Sequence, residues 1–409
     1  MQFQSKKLQK AVFAFVGITL LTGMSLAQAD SVILSFATVG DSRQDPINLD
    51  PSQTAQGGLT GQDAHWLENT RAWTRIMRSI QSQKANLLFF NGDMVMGYGN
   101  GVQLPKTTNV NGTWTPASLT GVTGLTTDTT DFYAQYGFWR GLVANLMETG
   151  TYVVPVPGNH ETQCKACGKK ATAGNENIWR DNMGDLILDT NRFASILGAA
   201  PDFYDPNNHP VVGDTLAVMA EPNVTYTTDQ SALTYSFDFK GSHFAIINTD
   251  ATGVDGRAPA DWLSNDFANA AARGATHFFV FGHKPAYTYK FTGIGSKLSG
   301  LDASSIPSRD AFWKVIESYH ATYFSGHEHI FNMQQPLLST NGATAAWQVL
   351  VGSGGSPFET ATATTNPNDR KYAWANVRVY QSGQVQITAY GFDENYGPTT
   401  VLQSITLPQ

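Results

Sequence analysis

Seven polar residues stand just after short apolar runs at five places in the chain, and all seven are of types that bind metal ions. They are Asp41, Asp93, Asn159, His160, His283, His327 and His329. Carboxylate, amide and imidazole groups together suit a pair of transition metals, which accept mixed oxygen and nitrogen ligands. One Asp after Gly, or one His at the end of a strand, is usually structural, but five such loops in one chain indicate a metal site.

Buried strands that deliver polar loops are predicted in front of these residues, because each preceding run is short and apolar. The runs cover 32–39, 85–90, 152–156, 277–281 and 321–324. Helical spacing of apolar residues predicts helices over 62–84, 259–273 and 307–319, and further strand patterns cover 233–239, 243–248, 345–351 and 377–390. Since five separate strands carry the polar groups, we predict one layered α/β domain with a shared rim.

The composition describes a large, acidic chain with a substantial core. Among 409 residues, 26 Lys and Arg face 33 Asp and Glu, which gives a formal net charge of −7. This balance argues against a nucleic-acid binder, because phosphate backbones are held by clustered basic residues. With 41% hydrophobic and only 14% charged residues, the chain is not of a disordered type.

Residues 1–29 have the layout of a secretory signal peptide. Lys6, Lys7 and Lys10 precede an apolar run over 11–26, and the small-residue site Ala27-Gln28-Ala29 follows. A retained membrane anchor is the alternative, but the run is shorter than the roughly 20 residues that a span needs. No later segment is apolar enough to cross a bilayer, so we expect a secreted or periplasmic protein without a stable membrane span.

The cysteines of the chain are Cys164 and Cys167, in a C-x-x-C spacing. A local disulfide is the favoured interpretation, because exported proteins meet an oxidising compartment. A zinc site would need two more ligands, and a redox motif would need a thioredoxin-like strand and helix around the pair.

The ordered motifs around the seven polar residues resemble the calcineurin-like metallophosphoesterase superfamily, which includes the purple acid phosphatases. The motifs are Gly40-Asp41-Ser42-Arg43, Gly92-Asp93, Gly158-Asn159-His160-Glu161, Gly282-His283 and Gly326-His327-Glu328-His329. The resemblance implies an α/β fold, α+β by some schemes, built as a four-layer αββα sandwich. It also implies one domain over 30–409, with inserts around 97–131 and 162–228.

The resemblance further implies a dinuclear site and a role for each residue. Asp93 would bridge the metals, Asn159, His283 and His327 would complete the second site, and Asp41 and His329 would hold the first. His160 would be the non-ligand histidine that binds phosphate or protonates the leaving group. The cofactors would be two divalent or trivalent ions, iron, manganese or zinc. The implied reaction is hydrolysis of a small phosphomonoester or phosphodiester by a hydroxide that the metals activate.

The chain departs from the usual family pattern at Arg43, where many members have the histidine of an Asp-x-His motif. A guanidinium does not ligate metals, so we expect the first metal site to be weak. Arg43 either grips a phosphoryl oxygen or a ligand carboxylate, or it is a surface residue paired with an acid such as Asp45. Met96 occupies the position of the purple acid phosphatase tyrosine, and the nearby Tyr98 has a different spacing, which argues against an iron–tyrosinate centre.

Because the first metal site lacks its usual histidine ligand, the alternative function is that of a catalytically weak phosphate- or nucleotide-binding protein on the same fold.

Overall fold

The computed structural model describes residues 30–46, 70–102, 108–115, 118, 127–289, 298–359 and 366–407. The predicted signal peptide over 1–29 and the first part of the predicted helix over 62–84 lie outside these residues. No helix in the described ranges is both long and apolar enough to cross a bilayer.

The strands and helices follow one another in the mixed order of an α/β protein. The strands are β1 (Val32–Val39), β2 (Leu87–Asn91), β3 (Thr108–Val110), β4 (Thr113–Thr115), β5 (Tyr152–Val156), β6 (Gln163–Cys164), β7 (Lys170–Ala171), β8 (Phe203–Tyr204), β9 (Tyr235–Phe239), β10 (Ser242–Ile246), β11 (His277–Phe281), β12 (Thr322–Ser325), β13 (Phe331–Gln334), β14 (Trp347–Val351), β15 (Lys371–Tyr380), β16 (Val385–Asp393) and β17 (Thr400–Leu407). The α-helices are α1 (Ala72–Gln83), α2 (Thr127–Glu148), α3 (Asn159–Thr162), α4 (Ala173–Met183), α5 (Thr190–Leu197), α6 (Ala260–Arg273), α7 (Leu301–Ser304), α8 (Ile306–Ser318) and α9 (Leu338–Asn341).

Two large sheets form the centre of the molecule. The first has six strands in the order β17-β16-β15-β1-β2-β5, and the second has seven in the order β13-β14-β12-β11-β10-β9-β8. Strands β1, β2 and β5 run parallel to one another, as do β10, β11, β12 and β14. Parallel strands place their carboxyl ends on one edge of a sheet, which is where open α/β sheets bind ligands.

Aromatic side chains fill the space between the two sheets. Phe89 of β2 stacks on Phe281 of β11 with ring centroids 3.7 Å apart, and Phe36 of β1 packs edge-on against Phe279 at 4.9 Å. Such pairs contribute about 0.5–1.5 kcal/mol each beyond the burial of their surface. This core holds the sheets face to face, so the loops that follow their strands meet at a common rim.

Helices cover the outer face of each sheet. On the first sheet, Phe90 of β2 contacts Trp73 of α1 and Trp139 of α2, with centroids 5.0 and 5.3 Å apart. On the second, Phe267 of α6 contacts Phe278 and Phe312 of α8 contacts Tyr323. The α/β class and the αββα arrangement predicted from the sequence are therefore confirmed.

The boundaries of several elements differ slightly from the sequence prediction. The segment 377–390 forms parts of two antiparallel strands, β15 and β16, because the chain turns at Gly383, whose φ is 87°. The insert over 162–228 carries its own small elements, β6 to β8, α4 and α5. Loops of that length in compact domains usually do contain such elements or serve function.

Candidate metal centre

Five loops bring their polar residues to one rim, and each loop leaves the carboxyl end of a parallel strand. Gly92 shows how closely two of these loops approach: a Cβ at this position would lie 2.6 Å from the Cα of Gly158. Gly92 also has a φ of 77°, which favours glycine. The Gly before Asp93 is thus needed for both its backbone conformation and its contact with the loop of Asn159.

Three of the predicted ligands have backbone conformations that are uncommon for residues with a Cβ. Asp41, Asp93 and His327 have φ values of 63°, 52° and 75°. Such conformations cost on the order of 1–3 kcal/mol each and persist only where the surrounding structure enforces them. Here the backbone N–H of His327 donates to Oδ2 of Asp41 at 2.9 Å, which joins loops from different sheets.

Asp93 lies at the centre of the site and belongs to both groups of residues that are able to hold a metal ion. One group is Asp93, His283 and His327, and the other is Asp41, Asp93 and His329. In each group the ligand atoms all lie within 4.8 Å of one another. A carboxylate shared by two such groups is suited to bridge two cations.

Asn159 completes the first of these groups. Its Oδ1 lies 2.8 Å from Nε2 of His283 and 2.8 Å from Nδ1 of His327. His283 donates from Nδ1 to the backbone carbonyl of Asn91 at 2.7 Å, so its Nε2 faces the site. A carbonyl that fixes the orientation of an imidazole in this way is typical of metal-ligating histidines.

The second group contains two buried polar atoms, Oδ1 of Asp41 and Nε2 of His329, that have no hydrogen-bond partner within the described ranges. They lie 3.6 Å apart, and His329 is oriented through its Nδ1, which donates to the carbonyl of Pro357 at 2.7 Å. An unsatisfied buried polar group costs about 1–3 kcal/mol. A cation between these atoms would satisfy both, so the donor set fits a second metal ion.

Burial and mutual proximity shift the pKa values in the site. Burial raises the pKa of Asp41 well above its ordinary value. Burial opposes ionisation of Asp93 too, but His160 and His283 hold the pKa of that carboxyl well below its usual range. Burial lowers the pKa values of His327 and His329, so both rings are neutral and able to ligate a metal. The Asp93 carboxylate overcomes the burial of His283 and raises its pKa to about 9.

His160 lies beside the ligands without belonging to either group. Its Nε2 is 3.5 Å from Oδ2 of Asp93, and its Nδ1 donates to the carbonyl of Met96 at 2.5 Å. Burial and the nearby guanidinium of Arg43 lower the pKa of His160 to about 3. The ring is therefore neutral at neutral pH, and its Nε2 faces the site as an acceptor.

The structure places the Arg43 guanidinium against a predicted ligand. Its terminal nitrogen lies 3.5 Å from Oδ2 of Asp93, and the side chain is only 18% exposed. The backbone N–H of Arg43 also donates to the carbonyl of Asp93 at 2.9 Å. Among the roles that the sequence suggested for Arg43, this geometry agrees with a guanidinium that binds a ligand carboxylate.

Glu161 holds two of the site loops together, a role that the sequence reading did not assign. Its buried carboxylate accepts from the backbone N–H groups of Asp93, Met94, Val95 and Gly158 at 2.7–3.2 Å. Burial raises the pKa of Glu161 to about 7. The sequence feature that could have indicated this role is the position of Glu161 directly after Asn159 and His160.

Tyr98 is a second residue that sequence reasoning did not place in the site. Its hydroxyl contacts the amide nitrogen of Asn159, and its ring lies 3.8 Å from the ring of His160, centroid to centroid. Burial raises the pKa of Tyr98, so the phenol is protonated. Tyr98 thus contacts one predicted ligand, Asn159, and the predicted non-ligand histidine, His160. The sequence spacing between Asp93 and Tyr98 does not predict either contact.

The remaining candidate features lie beside or away from the site. Cys164 and Cys167 are joined by a disulfide, with Cα atoms 5.1 Å apart. The glycine-rich turn over 352–355 packs against the Asp41 loop, where Gly354 donates to the carbonyl of Gly40 at 2.9 Å. His243 is buried between Asp238 and Asp266, remote in sequence from the ligands.

Comparison with solved structures gives fold-level likenesses. Purple acid phosphatase PPD1 from yellow lupin (Lupinus luteus) matches 92% of this chain with a TM-score of 0.51 and 13% identity. This chain spans 54% of the length of the lupin protein. At that identity the match supports the fold alone.

Two other structures are more distant, and their likeness carries no argument. A dimetal phosphatase from Danio rerio covers 92% of this chain and 99% of its own, with 9% identity and a TM-score of 0.46. GAP50, the anchor in the inner membrane complex of Plasmodium, covers 92% and 89%, with 11% identity and a TM-score of 0.40. Direct comparison with curated proteins gives no match.

The family comparison is decisive because it covers most of the chain, including four of the five site loops. The model of the calcineurin-like phosphoesterase family matches residues 63–331. That range contains Asp93, Asn159, His283, His327 and His329, and the Asp41 loop lies before it. With its αββα fold and its paired ligand groups, this chain belongs to the calcineurin-like phosphoesterase family.

Proposed function

We propose that the protein hydrolyses phosphomonoesters or phosphodiesters of small molecules with the help of two metal ions. The observation that carries this proposal is the position of the Asp93 carboxylate, which belongs to both ligand groups. Two ions held this way bind phosphoryl oxygens and lower the pKa of a coordinated water. The candidate ions are iron, manganese and zinc, because all three accept this mixture of oxygen and nitrogen donors.

The chain itself contributes a guanidinium and an imidazole next to that carboxylate. The Arg43 guanidinium presents a planar fork of donors that suits a phosphoryl oxygen. Its proximity to Asp93 holds it in the site before substrate arrives. Fixed donors of this kind stabilise the charge that develops on phosphoryl oxygens in the transition state.

His160 has two candidate roles, and its hydrogen bonds bear on both. With Nδ1 donating to Met96, the neutral ring offers only an acceptor at Nε2. The ring therefore needs a second proton before it donates to a phosphoryl oxygen or to a leaving alkoxide. Such a proton would arrive with the substrate, whose phosphate raises the pKa of a neighbouring imidazole.

Metal analysis of the purified protein, together with a panel of phosphomonoesters and phosphodiesters, tests this proposal. We expect up to two metal ions per chain and hydrolysis that is lost on chelation and restored by metal. Asp93→Ala should lose both ions, because this carboxylate belongs to both ligand groups. Asp310→Ala, at an exposed carboxylate of α8, is the matched control. Metal-loaded protein that binds phosphate but hydrolyses no ester would support the alternative function, that of a catalytically weak phosphate- or nucleotide-binding protein.

We also propose that the protein is exported to the periplasm or the medium and acts there on a small phosphorylated substrate. The apolar run over 11–26 and the disulfide between Cys164 and Cys167 support this proposal. Mass spectrometry of protein from its native compartment should show a chain that begins at Asp30. Both thiols free in that material would contradict the proposal.

A further inference from the structure

A cleft of about 670 Å³ opens beside the metal centre, and three cationic side chains line it. They are Arg43, Lys165 and Lys169, and His160 lines the same cleft. One carboxylate, that of Asp128 in the first turn of α2, also lines it. Cations therefore outnumber acids in this cleft, although the whole chain carries a net charge of −7.

The loop that carries the two lysines is fixed to the site by its backbone. The N–H of Lys165 donates to the carbonyl of Tyr98 at 2.9 Å, and the N–H of Tyr98 donates to the carbonyl of His160 at 2.8 Å. The disulfide between Cys164 and Cys167 closes the loop, and the N–H of Lys169 donates to the carbonyl of Cys164 at 3.0 Å. The positions of the lysine Cα atoms relative to His160 are thus set in advance.

Lys169 reaches toward the metal centre across Tyr98. Its Nζ lies 5.9 Å from the centre of the Tyr98 ring, within the range of a cation–π contact, and that ring lies against His160. The ammonium group is therefore separated from the catalytic side of the site by a single aromatic ring. An anionic group that extends from a phosphate at the metals into this cleft would face Arg43, Lys165 and Lys169.

We propose that this cleft binds a second phosphate group of the substrate, and that the enzyme prefers esters with two or more phosphates. The proposal rests on the proposed function, because it places the scissile phosphate at the metal centre. It assigns Lys165 and Lys169 to specificity, without a part in bond cleavage. Ammonium groups that line the same cleft attract one phosphate group together, and because both lysines are exposed this attraction weakens with salt.

The test uses two ligands that the enzyme does not hydrolyse, propane-1,3-diphosphonate and propylphosphonate, which carry two and one phosphonate groups on the same carbon chain. Calorimetric titration of the metal-loaded protein should give a lower Kd for the diphosphonate than for the monophosphonate. Lys165→Ala and Lys169→Ala should each weaken diphosphonate binding about 2- to 5-fold, as expected for an ion pair made by an exposed lysine. Neither substitution should change monophosphonate binding.

Lys170→Ala is the matched control, because Lys170 is exposed in the same loop but does not line the cleft. Since all three lysines are exposed, the variants should unfold at the same temperature as the original protein. A diphosphonate Kd that changes no more in Lys165→Ala and Lys169→Ala than in Lys170→Ala overturns the proposal. Equal binding of the two ligands by the original protein overturns it as well.

Failure of the proposed function is distinguishable from failure of the cleft proposal. If the function is wrong, the metal-loaded protein hydrolyses no ester of the panel, while the titrations with the two phosphonates still test the cleft. Hydrolysis of monophosphates and bisphosphates at equal kcat/KM, with both lysine variants unaffected, would instead retain the function and remove the specificity assignment.

Discussion

Oδ1 of Asp41 and Nε2 of His329 face each other at 3.6 Å, and among the described residues neither atom has a hydrogen-bond partner. Asp41 follows β1 of the first sheet, whereas His329 follows β12 of the second. The pair therefore forms only when the two sheets pack together. A buried carboxylate and a buried imidazole with no other partner are the donors that a metal ion would satisfy.

Replacing His329 by Ala should remove one of two bound metal ions and leave the other. The other ligand group keeps Asp93, His283 and His327, which do not depend on His329. Metal analysis should therefore give about one ion per chain and a hydrolysis rate lower by at least 100-fold, an effect of about 2.7 kcal/mol. His320→Asn, at an exposed histidine, is the control and should retain both ions. Unchanged stoichiometry in His329→Ala would show that His329 is no ligand.

Replacing Arg43 tests the position where the family usually has a histidine. Arg43→Ala should lower kcat/KM by about 10- to 100-fold, or 1.4 to 2.8 kcal/mol of transition-state stabilisation. Arg43→Lys should recover only part of the loss, because a point charge does not reproduce a planar fork of donors. Arg43→His should tighten the first metal site by adding a ligand to Asp41 and His329. Normal kinetics in Arg43→Ala with unchanged metal affinity in Arg43→His would refute this role.

His160→Ala should reduce turnover and leave the metal content nearly unchanged. The backbone N–H of His160 donates to Oδ1 of Asp93 at 3.0 Å, and the substitution does not remove this bond. If the ring supplies a proton, kcat should fall by about 10²- to 10⁴-fold. Steady-state kinetics and metal analysis of the same preparation check both statements. Loss of metal ions would show that the ring is a ligand.

Glu161→Gln should destabilise the protein and weaken metal binding at once. The carboxylate accepts from the backbones of two site loops, and an amide in its place would point its NH₂ group at N–H donors. We expect a loss of about 2–3 kcal/mol in the free energy of unfolding, because buried backbone N–H donors lose their acceptor. Glu148→Gln, at the exposed end of α2, should have no effect. Chemical denaturation and metal titration of both variants provide the comparison.

His243 should stabilise the fold in a pH-dependent way. Its Nδ1 lies 2.6 Å from Asp238 and its Nε2 lies 2.8 Å from Asp266, and Arg273 also binds Asp238. Burial opposes the charge on the ring, but both carboxylates outweigh it and raise the pKa of His243. A raised pKa contributes stability that is fully present below about pH 6.5, the unfolded value, and is lost as pH rises through the folded value.

The same cluster limits stability from the acid side through Asp238. Burial opposes its ionisation, but His243 and Arg273 lower the pKa of Asp238 below its ordinary value. That contribution is present above about pH 3.9 and is lost as pH falls through the lowered value. His243→Leu should therefore cost about 3 kcal/mol at pH 5. The loss should be smaller at pH 9, and urea unfolding at both pH values measures it. An equal loss at both would contradict a charged ring.

The sequence by itself determined the residue types of the site and the strands in front of them. The apolar runs before Asp41, Asn159 and His283 match β1, β5 and β11, because local patterns of apolar residues decide which segments are buried strands. The order of the motifs also identified the family, which the match over 63–331 confirms.

Tertiary structure alone decided how residues far apart in sequence meet. Glu161, Tyr98 and Lys169 join the site through backbone hydrogen bonds and ring contacts between loops, and no periodic pattern encodes those contacts. Pairing of Asp41 with His329 likewise depends on the packing of one sheet on the other through Phe89 and Phe281. Such contacts arise from the summed burial of the whole core, which fixes the loops in space, whereas a local run of residues specifies only the element that it forms.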